Sequence, residues 1–157
     1  MSIILRPYPK FEVIAGRRTV DLEGRVADLL LAFLYDVGYY GTVTVHVCKP
    51  RTREERNTMG LFFSNCNLIR IFTPDLAVVS PITLAHETFH LASYNNPAKV
   101  KAWLVNMGVK IPETLEDCRR VLDWRFAEYD AQLKGKGKLA KLIEEACALT
   151  FENYARD

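Results

Sequence analysis

His86, Glu87 and His90 form an H-E-x-x-H pattern inside the stretch Pro81 to Asn96, PITLAHETFHLASYNN. On an α-helix, residues four apart lie one turn above each other on one face. Two imidazoles at that spacing can aim at a single point, and Glu87 sits beside them. That chemistry suits a zinc ion, which takes nitrogen ligands at short range. A carboxylate next to a metal-polarised water can then remove its proton. Two histidines leave such an ion short of ligands, because catalytic zinc commonly takes three protein groups and keeps one position open.

The elements that must hold this pattern follow from periodicity. Ile82, Leu84, Ala85, Phe89, Leu91 and Ala92 surround the motif almost completely, so its helix is expected in the middle of the domain. Pro81 suits the first turn and Asn95-Asn96-Pro97 the end. Upstream, Asp21 to Val37 carries an apolar stripe at helical spacing, with Gly24 weakening its start and Gly38 closing it. Gly41 to Val47 alternates strictly, so Val43, Val45 and Val47 face a core and His46 faces away from it. His46 is therefore expected at the surface or hydrogen-bonded, outside the metal site. Ser2–Tyr8, Lys10–Ile14, Met59–Phe63 and Leu68–Phe72 read as further strands, and Lys49–Asn57 as a solvated loop. An edge among these strands would offer backbone groups to an extended peptide. Downstream, short helix Ala98–Asn106 precedes a long helix over Glu113–Leu133. A linker rich in Lys and Gly leads to a last helix, Leu139–Ala155, packed through Leu142, Ala146, Leu149 and Tyr154.

The third ligand is expected from a carboxylate on the long downstream helix, which offers Glu113, Glu116, Asp117, Asp123, Glu128 and Asp130. Only Glu128 is embedded in apolar sequence; the acids of the first turn serve the helix dipole. His86-Glu87-x-x-His90 followed by Glu128-Tyr129-Asp130-Ala131-Gln132 resembles the gluzincin zinc metallopeptidases, in particular the small minigluzincins. Those enzymes carry H-E-x-x-H on one helix and a zinc-binding glutamate on another, often within E-x-x-A-D or E-x-x-A-N. The resemblance covers the organisation of the chain from about Gly41 to Gln132. It implies His86, His90 and Glu128 as ligands of one Zn2+, Glu87 as general base, and Gln132 as a supporting acceptor where the family has an acid or Asn. It implies a zincin-like α+β fold: a small mixed or antiparallel sheet on a supporting helix and the motif helix, then a glutamate helix and a C-terminal helix. The function it implies is hydrolysis of peptide bonds in a polypeptide substrate. An oxyanion donor is still required, and Tyr94, Tyr129 and Arg125 are available, with Tyr94 taken first.

The totals set bounds. The 157 residues, 49% hydrophobic and 25% charged, fit one globular domain over 1–157. No apolar run has the length of a membrane span or the form of a secretory leader, so a cytoplasmic protein is expected. The four cysteines include no C-x-x-C pair, which argues against a cysteine zinc knuckle and leaves disulfides open. Net charge is only +2, too small to argue by itself for nucleic acid as the partner. Two alternatives stay open: a zinc-binding scaffold without turnover, and a metal-dependent protein acting on nucleic acid through Arg51, Arg53, Arg56 and Lys134 to Lys138. The second is disfavoured because an imidazole-rich site selects zinc over magnesium.

Overall fold

A computed structural model describes residues 6–76 and 79–157. It is a mixed α/β chain. Among the described residues are five strands, β1 Lys10–Ala15, β2 Arg18–Val20, β3 Thr42–Cys48, β4 Gly60–Phe63 and β5 Leu68–Phe72. With them are seven helices: α1 Arg25–Asp36, α2 Arg53–Asn57, α3 Pro81–Asn95, α4 Pro97–Asn106, α5 Leu115–Leu122, α6 Arg125–Gln132 and α7 Lys138–Arg156. The strands form one sheet in the order β2-β1-β3-β5-β4. The inner three are parallel, and the edge strands β2 and β4 run antiparallel to their neighbours.

Alternation along the strands decides which side is covered. Val13, Val43, Val45, Val47, Ile69 and Ile71 are buried on the face that meets α1 and α3. His46 lies on the opposite face between Ile14 and Arg70, half-buried, as its place in the alternation requires. Helix α1 starts four residues later than its apolar stripe suggests. Gly24, at φ 107, takes a conformation open to glycine and serves as its N-cap. The segment expected as a plain loop contains α2, a single exposed turn started by Thr52, whose hydroxyl accepts the Glu55 N–H at 3.1 Å. The strand expected over Ser2–Tyr8 lies mostly outside the described residues, and residues 6–8 are not in a strand.

Among the described residues, buried side chains form two clusters. The larger joins the sheet to α1, α3, α4 and part of α7. Phe151 of α7 sits at its centre, with ring centroids 4.4 Å from Phe33, 5.5 Å from Phe89 and 5.8 Å from Trp103. The smaller is built by Cys118, Leu122 and Phe126 against Leu142 and Ala146 of α7. Helix α7 therefore belongs to both clusters, and α3 packs along it. Arg25 fixes its far end by donating to the carbonyls of Ala155 and Arg156 at 2.5 and 3.0 Å.

The long helix expected over Glu113–Leu133 is two helices. Asp123, at φ 54, ends α5 in a conformation that non-glycine residues seldom take, with Asp among the exceptions. The chain turns there, and α6 leaves in a new direction. The four cysteines are free thiols, Cys118 and Cys147 buried. Among the described residues, no helix is long and apolar enough to cross a membrane.

Candidate metal centre

Helix α3 positions the histidines. Ser80 caps it by accepting the Thr83 N–H at 3.3 Å, and Pro81 occupies its first turn. Leu84, Ala85, Phe89, Leu91 and Ala92 are buried in the larger cluster, so the helix cannot rotate. His86 and His90 point to the seam between α3 and α7, with side chains only 15% and 11% exposed.

Their Nε2 atoms stand 3.1 Å apart. The carboxylate of Glu145, from α7, closes the triangle: Oε2 is 3.2 Å from His86 Nε2 and Oε1 is 3.1 Å from His90 Nε2. These three residues are the group of His, Cys, Asp and Glu side chains, among the described residues, that could hold a metal ion. The separations match the edge of a zinc tetrahedron, ~3.3 Å for bonds of ~2.0–2.1 Å. Glu145 Oε2, despite its distance, makes no aligned hydrogen bond, and neither does Oε2 of buried Glu87. Buried polar atoms left in that state are costly unless a further group satisfies them. The donor set fits a divalent ion of borderline softness.

The other nitrogen of each ring is also held. His86 Nδ1 meets Glu152 Oε1 at 2.6 Å and His90 Nδ1 meets Glu144 Oε2 at 2.6 Å. A carboxylate accepting the Nδ1–H sets the tautomer in which Nε2 is the ligand nitrogen. One helix thus carries the candidate third ligand and both acceptors on the Nδ1 atoms. Arg125 stands 3.6 Å from Glu152 and offsets its buried charge.

Electrostatics follow from this crowding. Burial opposes a charge on His86, but the carboxylates of Glu145 and Glu152 beside its ring outweigh it and raise its pKa to about 9. His90 is raised to about 10 in the same way, by Glu144 and Glu145 against burial. Burial likewise opposes the charge on Glu145, yet the two imidazoles hold its carboxyl far below the ordinary range. Glu87 is shifted up by burial, against the pull of His90 and His86. At neutral pH the metal-free rings are therefore protonated on Nε2, and an incoming ion must displace those protons. Zinc titrations in buffers of different ionisation enthalpy at pH 7.5 should report release of about two protons per ion, and affinity should rise with pH up to about 10. A buffer-independent heat would show that the nitrogens are already free.

The residues expected from the sequence divide. His86, Glu87 and His90 come together. Glu128 does not join them: it is exposed on α6. That helix turns Phe126, Tyr129 and Leu133 inward, and Glu128 lies outside the stripe they form. Gln132 is exposed as well, and Glu144 and Glu152 stand where a supporting acceptor was expected. Tyr94 is 60% exposed, one turn beyond His90, and its ring meets Phe62 edge-on at 5.9 Å. Tyr129 lies beside Glu145; burial first, then the charge of Glu145, keep its hydroxyl protonated well beyond the usual phenol range. The acids of α7 were missed although a signal was present. Glu145-Ala146-Cys147-Ala148 reads E-x-x-A as well as Glu128-Tyr129-Asp130-Ala131 does, and it lies between the packing residues Leu142 and Leu149.

Edge strand β4 lies against the motif helix. A Cβ on Gly60 would fall 2.9 Å from both Glu87 Cγ and Thr83 Cγ2. Gly60→Ala should lower stability by about 1–3 kcal/mol in urea unfolding, since a buried helix face must give way. An unchanged midpoint would mean that this contact relaxes freely. The chain matches no protein-family model, no curated protein and no solved structure.

Proposed function

We propose that this chain is a zinc-dependent metallopeptidase with His86, His90 and Glu145 as ligands and Glu87 as general base. One observation carries the reading: two imidazole nitrogens and a carboxylate meet at ligand spacing, with a second carboxylate buried beside them. Bound there, zinc would supply a Lewis acid that polarises a scissile carbonyl and acidifies water toward pKa ~7. Glu87 accepts the proton of the attacking water and returns it to the leaving amine, a role suited to a carboxylate whose proton affinity burial has raised. Tyr129, protonated and next to Glu145, is the better-placed hydroxyl for the developing oxyanion. Among the described residues β4 is the outermost strand on its side, so an extended peptide can pair with it alongside α3.

The zinc-loaded chain should cut denatured casein, lose that activity to a chelator and regain it with zinc. A zinc-loaded chain that leaves casein intact would defeat the reading. One feature favours a second: the centre is little exposed, with Glu87 at 6%. A scaffold that holds the ion without turnover would look the same, and would bind zinc while failing the casein assay.

A further inference from the structure

We propose that Tyr94 gives the centre a preference for a bulky apolar side chain, aromatic above all, close to the reacting bond of an extended peptide; this rests on the peptide reading above. His86, His90 and Tyr94 recur at a spacing of four, so Tyr94 continues the ligand face by one turn. Leu91 and Ala92, three and two residues before it, are fully buried and Ser93 is half-buried, whereas Tyr94 is 60% exposed. A large aromatic ring left in solvent on the ligand face needs a reason, because the helix around it is otherwise packed.

Strand β4 supplies the reason. Gly60 pairs with Ile71 and Phe62 with Ile69, and both isoleucines are buried on the helix-covered face. Gly60 and Phe62 therefore look toward α3, and Leu61 looks away. Gly60 abuts Glu87, and Phe62 abuts Tyr94. The strand thus runs beside α3 from the general base toward the exposed ring, about 7 Å per two residues. The far end is tied down: Asn95 Nδ2 donates to Asn67 Oδ1 at 3.0 Å, joining the end of α3 to the turn after β4.

A peptide laid on the free edge of β4 presents alternate side chains on the α3 side with the same two-residue repeat. If the reacting bond lies level with Gly60 and Glu87, the next side chain on that side falls level with Phe62 and Tyr94. Two rings already in edge-to-face contact there accept a third ring or a branched aliphatic group. A carboxylate placed on them would lose water and gain no partner.

Calorimetric binding of two dipeptide hydroxamates to the zinc-loaded protein tests this without turnover; one carries a phenylalanine side chain and the other an aspartate. The phenylalanine compound should bind wild type at least about tenfold more tightly. Tyr94→Ala should reduce the ratio to under about twofold while zinc content stays at one per chain, and Tyr94→Phe should keep it, since the ring and not the hydroxyl is used. Equal binding of the two compounds by wild type, or a ratio that survives Tyr94→Ala, overturns the inference. Failure to cut casein bears on the peptidase reading alone, because the binding ratio decides this one with or without hydrolysis.

Discussion

Glu87→Gln should lower casein cleavage by the zinc-loaded protein about a thousand-fold while leaving one zinc ion per chain. General base catalysis contributes typically 10²–10⁴-fold, and the middle of that span corresponds to about 4 kcal/mol of barrier. Glutamine is the informative substitution. It keeps the shape of a side chain that is only 6% exposed and packed against Gly60, and it removes only the ability to take a proton. Alanine at this position would also open a cavity beneath β4, confusing lost chemistry with lost packing. The carboxylate that disappears is one of four around the two imidazoles, the others being Glu144, Glu145 and Glu152. Its loss leaves the ligand set untouched, so zinc content should not fall. Two results would remove Glu87 from the role: full activity in Glu87→Gln, or loss of zinc together with activity.

Much of this arrangement is legible in the sequence because it is encoded locally. The alternation of Val43, Val45 and Val47 places β3, and the near-continuous apolar surround of His86 and His90 places α3 inside the domain. The spacing of the two histidines needs no tertiary information. The third ligand does. Three later segments read E-x-x-A, starting at Glu128, Glu145 and Glu152, and local pattern cannot say which of them reaches α3. What decides is a pair of features visible only in the assembled chain. Asp123 takes a positive φ and breaks one long periodic segment into α5 and α6, turning Glu128 to solvent. Ala146 and Ala148, both fully buried, are small enough to let α7 lie close against its neighbours, and Phe151 locks it into the aromatic centre of the larger cluster. An apolar stripe announces that a helix packs; it does not name the partner. For that reason the local pattern of α7 gives no sign that Glu144, Glu145 and Glu152 face α3.

Because α7 carries the candidate third ligand and both carboxylates on the Nδ1 atoms, any metal held here and the packing of the C-terminal helix depend on the same contacts. In the metal-free chain, Glu145 and the two protonated rings hold the helices together by charge. A bound ion would replace that attraction with coordination, adding stability by mass action as free zinc exceeds its dissociation constant. The seam is thus served in either state, although the ion-paired one weakens as pH rises. Each histidine has its folded pKa raised above the ordinary value of 6.5, so its contribution is full below that value and is lost as pH climbs through about 9 to 10.

The sharpest separation of the two glutamates comes from substituting each alone. Glu145→Ala should weaken zinc binding by at least about a hundred-fold, whereas Glu128→Ala should leave it within about twofold of wild type. Even acceptors that only support a ligand cost 10–100-fold when removed, so the loss of a ligand sets that range as a floor. Glu145 is only 20% exposed at the side chain and lies within 3.2 Å of both Nε2 atoms, while Glu128 is exposed on a helix whose inward face is Phe126, Tyr129 and Leu133. Removing Glu145 also strips two raised-pKa imidazoles of a shared partner, so Glu145→Gln is the companion variant: it keeps the volume and loses the charge. Competition against a chromogenic chelator at pH 7.5 reads all three proteins on one scale. If Glu128→Ala gives up zinc and Glu145→Gln keeps it, α6 must dock on α3 in place of α7, and the centre described here is not the one the protein uses.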